Sequence, residues 1–195
     1  MEGNAWSPAA MSVTIDELVR RNANFAAGGA FAGLPFPTNQ TLRVIGCVDS
    51  RVDPSHILDL KLGDAVVMRN IGGRVTPAVL RSWALLAKLG QARPSGQPDD
   101  CPPHMVVLHH TDCGIKTLAE YPGLLAKYFE IPVKELDAKA VRDPHSAVRI
   151  DVDIVRRTLP ARLVVSGLVY DVDTGLVEVV VPPATALDQP HLSLA

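Results

Sequence analysis

Five short runs of aliphatic and β-branched residues constrain this chain most: Leu42–Cys47, Ala65–Met68, Met105–His109, Leu163–Val169 and Leu176–Val181. Runs of this length with little polar content suit strands covered on both faces, the condition met in a parallel sheet flanked by helices. Between and before them lie segments with apolar residues at helical spacing: Thr14–Ala27, Ser55–Leu60, Pro77–Leu89, Leu124–Phe129 and Ser146–Leu159. Thr14 and Glu17 make a capping box for the first, and Gly28-Gly29 end it. Strands alternating with helices predict an α/β fold with a central, mostly parallel β-sheet. The last two runs are joined by Asp171-Val172-Asp173-Thr174-Gly175, too short for a crossover helix, so they are expected to pair antiparallel at one end of the sheet.

A length of 195 residues predicts one domain over residues 1–195, with 1–13 and 183–195 as arms or disordered ends. Gln91–Pro103, rich in Pro, Asp, Gly and Ser, reads as an exposed loop. At 47% hydrophobic and 21% charged residues the composition is that of a globular protein, neither disordered nor a disulfide scaffold. A formal charge of -2 with no basic block gives no basis for a nucleic-acid partner, and no apolar stretch is long enough to span a bilayer. Met1–Met11 carries Glu2 and no basic segment before an apolar run, so the expected compartment is the cytoplasm. There, an odd set of three cysteines is expected to serve as thiols, whether buried residues, ligands or nucleophiles.

Reactive residues gather where ligands bind in open α/β sheets, outside the carboxyl ends of strands. Cys47-Val48-Asp49-Ser50-Arg51 follows the first strand, and an extended chain would project Cys47, Asp49 and Arg51 to one side. His110-Thr111-Asp112-Cys113-Gly114 follows the third. Two thiolates and an imidazole from Cys47, Cys113 and His110 suit zinc better than magnesium or calcium. Three strong ligands, where a structural zinc would take four, leave a coordination position open for chemistry, with one zinc expected per subunit. Asp49 beside the metal can accept a proton, and Arg51 keeps it ionised. Cys101, in the Pro-rich loop, reads as a bystander, and His109 as a packed residue facing away from His110. Asp112 reads as a cap for the following helix. Asp64 and Arg69 are expected either to pair with each other or to serve the site.

Three motifs in order, Cys47-x-Asp49-Ser50-Arg51, Gly63-Asp64-x-x-Val67-x-Arg69-Asn70-x-Gly72-Gly73 and His110-x-x-Cys113-Gly114, resemble those of small microbial β-carbonic anhydrases. The resemblance runs from about Thr14 to the strand near Val181. It implies zinc on Cys47, His110 and Cys113, an Asp49–Arg51 dyad, and Asn70, Gly72 and Gly73 beside a small-molecule substrate. It implies reversible hydration of carbon dioxide to bicarbonate and a proton by a zinc-bound hydroxide, in a homodimer or dimer of dimers. In a closed state of such a site Asp49 leaves Arg51 and joins the metal. Ile71 stands where the family usually has Ala, which bears on the pocket's width, and the Gln91–Pro103 loop is longer than in compact relatives. Two other functions fit the same residues: hydrolysis of carbonyl sulfide or carbon disulfide, and a non-catalytic protein in which zinc only holds the fold.

Overall fold

Each of the five runs becomes a strand in a computed structural model, which describes residues 13–34, 41–92 and 102–186. They are β1 (Leu42–Cys47), β2 (Ala65–Asn70), β3 (His104–His110), β4 (Val164–Tyr170) and β5 (Val177–Ala184), in the sheet order β2-β1-β3-β4-β5. All neighbours are parallel except β4 and β5. That pair closes through a turn in which Asp171 accepts backbone N–H bonds from Asp173 and Thr174, at 2.8 and 3.0 Å. Such a side-chain turn replaces the crossover a parallel pair needs.

Alternation along the strands divides the core. Ile45, Met105, Val107, Val165 and Val169 face one side, against Val79 and Trp83 of α3 (Pro77–Ala92) and Val148, Val152 and Val155 of α5 (Pro144–Thr158). Val44, Val106 and Leu108 face the other, against Ile57, Leu58 and Leu60. Each such fully buried aliphatic side chain contributes roughly 1.5–3 kcal/mol. α4 (Pro122–Phe129) adds a smaller cluster of Leu125 and Phe129 with Ile115.

Several boundaries differ from expectation, each for a local reason. β5 runs on through Pro182 and Pro183, which an edge strand tolerates because one side of its backbone needs no partner. α3 continues to Ala92, so Gln91 and Ala92 are helical rather than part of the expected loop; residues 93–101, with Cys101, lie outside the described residues. The helix expected over Ser55–Leu60 is only α2 (Pro54–Ile57), followed by Asp59 at φ 50°. Two 3-10 segments, Gly114–Glu120 and Val133–Lys139, escape a search for 3.6-residue periodicity.

The chain divides into two compact units after Leu34. The first holds α1 (Ile15–Ala27), where the Thr14 hydroxyl accepts the Glu17 N–H at 3.2 Å. Glu17 does not complete the capping box: its carboxylate takes Arg20 and Arg21 instead. No residue of α1 is buried.

Candidate metal centre

Cys47 and His110 end the adjacent strands β1 and β3, so the sheet itself brings them together. Asp112, in the left-handed region at φ 50°, turns the chain back and delivers Cys113 to the same place. The ligating atoms of Cys47, His110 and Cys113 all lie within 4.8 Å of one another. The two sulfurs are 3.8 Å apart. Tetrahedral zinc with Zn–S bonds of ~2.3 Å would space them by about the same distance.

The imidazole is set for a metal. His110 Nδ1 lies 2.8 Å from the Thr111 carbonyl, which can only accept, so Nδ1 carries the proton. Nε2 is then a bare acceptor, buried, with no hydrogen-bond partner. Such an orphan calls for a ligand, and a cation answers it. The sulfurs make the same demand. A hydrogen bond with the Cys113 sulfur pulls the Cys47 thiol down against its burial, with help from the Asp49 backbone N–H. The same contact, with burial, pushes Cys113 up. A cation held by both sulfurs would displace their protons.

The loop after β2 closes over this cluster. Both ends of the Asn70 amide bind the backbone of Arg74, at 2.7 and 2.8 Å, so Asn70 braces the loop it begins. Gly73, at φ 64°, has room for no side chain: a Cβ would sit 2.9 Å from the Leu108 carbonyl and 3.0 Å from the Cys47 nitrogen. Gly72 lies against Ile115 in the same way. The Tyr128 hydroxyl donates to the Ile71 carbonyl at 2.8 Å, while the Ile71 side chain is exposed and does not narrow the pocket. A cavity of about 100 Å³ borders the ligands, lined by Gly72, Arg74, His109, His110, Cys113 and Ile115 among others.

Asp49 and Arg51 meet through a 3-10 turn, Ser50–Val52, rather than along an extended segment. Arg51 Nη2 donates to Asp49 Oδ2 at 2.7 Å, and the Arg51 backbone N–H and Nε reach Oδ1 at 3.0 and 3.1 Å. Arg51 holds the Asp49 carboxyl at about 2, well below its ordinary value, and burial opposes this only partly. The structure has the Arg51-paired arrangement of Asp49. Asp112 caps no helix. Its carboxylate takes Lys116 at 2.6 Å and Arg51 at 3.2 Å, linking the two motifs across their exposed rim. Asp64 and Arg69 do not pair either. Asp64 closes a turn on the Lys61 N–H, and Arg69 donates to Asp53 and to the carbonyls of Cys47 and Asp49.

Sequence reasoning missed the buried centre of the molecule. Asp151 of α5 is 0% exposed and Arg74 1%. Arg74 donates to both Asp151 oxygens, at 2.7 and 3.2 Å, and the Val75 N–H to one of them at 3.0 Å. His109 points toward α5, opposite to His110, and its Nε2 stands 3.3 Å from Asp151. Burial pushes the Asp151 carboxyl up, yet His109 and Arg74 together hold it below the usual range. Removing one partner of a buried pair like this costs roughly 3–5 kcal/mol. The signal was available: Asp151 sits on the apolar stripe of α5 formed by Val148, Val152 and Val155.

Comparison with known proteins agrees with this geometry. The sequence model of the family described as carbonic anhydrase matches residues 42–130. Beta-carbonic anhydrase 1 of Mycobacterium tuberculosis (strain ATCC 25618 / H37Rv) is 33% identical over 180 residues, covering 88% of this chain and 100% of that protein. A carbon disulfide hydrolase of Acidianus sp. (strain A1-3) is 27% identical over 165 residues, covering 71% of this chain and 76% of that protein. Among solved structures, a carbonic anhydrase from Streptococcus mutans superposes with a TM-score of 0.63 at 31% identity, over 87% of this chain and 99% of that one. With the sheet, the two strand-end motifs and full-length similarity in agreement, the chain belongs to the β-carbonic anhydrase family.

Proposed function

We propose that this chain is a zinc-dependent carbonic anhydrase that converts carbon dioxide and water reversibly to bicarbonate and a proton. Cys47, His110 and Cys113 are its metal ligands, and Asp49 with Arg51 its catalytic pair. The observation that carries this reading is the buried Cys47–His110–Cys113 cluster, which no fourth Cys, His, Asp or Glu joins among the described residues. Zinc held there is a Lewis acid that makes water acidic near neutral pH, as it does in carbonic anhydrases built on three histidines. The protein's own part is orientation. Asp49, fixed by three donors from Arg51, keeps lone pairs free on an ionised carboxylate and accepts a hydrogen bond that orients water at the rim. Gly72 and Ile115 give the small cavity an apolar patch beside His110 and Cys113, within a lining that also carries Arg74, Asp112 and Lys116.

A non-catalytic zinc protein would close the fourth position with another ligand and would have no use for the Asp49–Arg51 pair. The similarity to a carbon disulfide hydrolase favours one further arm in the test. Zinc-loaded protein assayed side by side is expected to hydrate carbon dioxide far faster than it hydrolyses carbonyl sulfide or carbon disulfide. The reverse order would transfer the site to sulfur substrates, and no turnover of any of them would leave only the structural role.

The active form we infer is a homodimer or dimer of dimers. α1 presents Ile15, Leu18, Val19 and Phe25 without burying them, and an amphipathic helix of that length takes its stability from packing. Light scattering at the mass of one chain in the active fraction would contradict it. The compartment we propose is the cytoplasm, where a reducing environment keeps sulfurs 3.8 Å apart as thiols. Among the described residues no helix is long and apolar enough to cross a membrane.

A further inference from the structure

A single buried carboxylate ties together the two backbone segments that frame the metal cluster. Asp151 Oδ2 receives Arg74 Nε at 2.7 Å and the Val75 N–H at 3.0 Å, and His109 Nε2 lies 3.3 Å away. His109 directly precedes the ligand His110 at the end of β3. Residues on one strand alternate in direction, so anchoring His109 on the α5 side of the sheet sets which way His110 points on the other. Arg74 and Val75 close the loop whose Gly73 lies so near the Cys47 nitrogen that a Cβ there would stand 3.0 Å from it. Arg74 is held in turn by the Lys139 carbonyl at 2.8 Å and by the face of Phe129, its Cζ 5.0 Å from the ring centroid. Arg74 and His109 also share a cavity wall with His110 and Cys113.

We propose that Asp151 is a positioning residue for the metal centre, acting on His110 through His109 and on Cys47 through the Arg74–Val75 end of the glycine loop. It touches neither ligand, and the segment matched by the family sequence model ends at residue 130. A charged residue at the centre of an otherwise apolar helix stripe serves geometry here: replacing it with an aliphatic would fill the same space without fixing strand and loop together. Groups that orient ligands in this way typically change metal affinity or activity by roughly 10–100-fold. The inference rests on Cys47, His110 and Cys113 being the ligands.

The test uses the full-length protein with Asp151→Asn, His109→Leu and His109→Gln. His109→Leu is chosen because Arg74 and the Val75 N–H still hold Asp151, and the thermal midpoint reads any loss of stability; His109→Gln restores a polar group facing the carboxylate. The readouts are zinc affinity by chelator competition, the visible absorption of the cobalt(II)-loaded protein, and thermal midpoint. Asp151→Asn and His109→Leu are expected to bind zinc about 10–100-fold more weakly, with a changed cobalt spectrum, and His109→Gln to recover most of the affinity. A lowered thermal midpoint with wild-type zinc affinity and cobalt spectrum in His109→Leu would overturn the proposal, whether or not Asp151→Asn folds. Zinc retained at wild-type affinity by Cys113→Ser, measured alongside, would instead remove the ligand assignment and this proposal with it.

Discussion

Cys113→Ser purified under the same conditions as the parent is expected to carry almost no zinc and to hydrate carbon dioxide no faster than buffer. The reason is the donor set. Two sulfurs and one imidazole nitrogen converge within 4.8 Å, and among the described residues no fourth Cys, His, Asp or Glu joins them. A serine hydroxyl in place of the thiolate leaves two strong ligands, too few for tight zinc binding. The loss should exceed the roughly 10–100-fold that residues behind the ligands cost. It should also come without unfolding, since Cys113 is only half-buried and follows β3 rather than lying in it. Cys101→Ser, in the Pro-rich segment, should keep both zinc and activity. Equal zinc in the two variants would refute the ligand assignment.

Asp49→Ala and Arg51→Ala are expected to do the opposite to the metal and nearly the same to the rate. Zinc content stays at the parent level because the three ligands remain, while kcat falls by roughly 10²-fold, the scale of lost orientation. The signs follow from the pair's electrostatics. Asp49 sits at about 2, so at any pH above ~4 it is the charged acceptor in folded protein, and its own titration does not shape the activity profile. Removing the Arg51 side chain takes away its Nε and Nη2 donors, leaves Asp49 only the backbone N–H on Oδ1, and frees the anion to turn toward the metal. Arg51→Ala should therefore lose most activity at low pH, where less hydroxide competes with the carboxylate, and recover partly as pH rises. Asp49→Ala has no such anion and should be uniformly slow. Full activity in Asp49→Ala would dismiss the pair from catalysis.

The sheet and its ligand ends were legible because their signals are local. β-branched runs marked β1 to β5, a five-residue connection marked the antiparallel pair, and Cys47, His110 and Cys113 stood at strand ends where an α/β sheet places its ligands. Less legible was whatever depends on contacts between distant segments. Asp112 read as a helix cap because an Asp at a strand-to-helix turn commonly is one; its partners Arg51 and Lys116 come from both sides. Arg69 had Asp64 nearby in sequence, yet it bonds Asp53 and two carbonyls that the parallel register of β1 and β2 carries past it. The bonds from Asn70 to the backbone of Arg74, which brace the loop after β2, also carry no sequence signal. The Asp151 centre joins residues 74, 109 and 151, three elements whose meeting no spacing rule anticipates.

Catalysis is expected to run on one metal ion held by Cys47, His110 and Cys113. Metal-free protein titrated with zinc, with carbon dioxide hydration measured at each addition, tests it most directly. The account predicts that activity rises linearly from the uncatalysed rate and breaks at one zinc per chain, and that Cys113→Ser shows no rise over the same range. Activity already present without metal, or a titration of Cys113→Ser that follows the parent's, would contradict it.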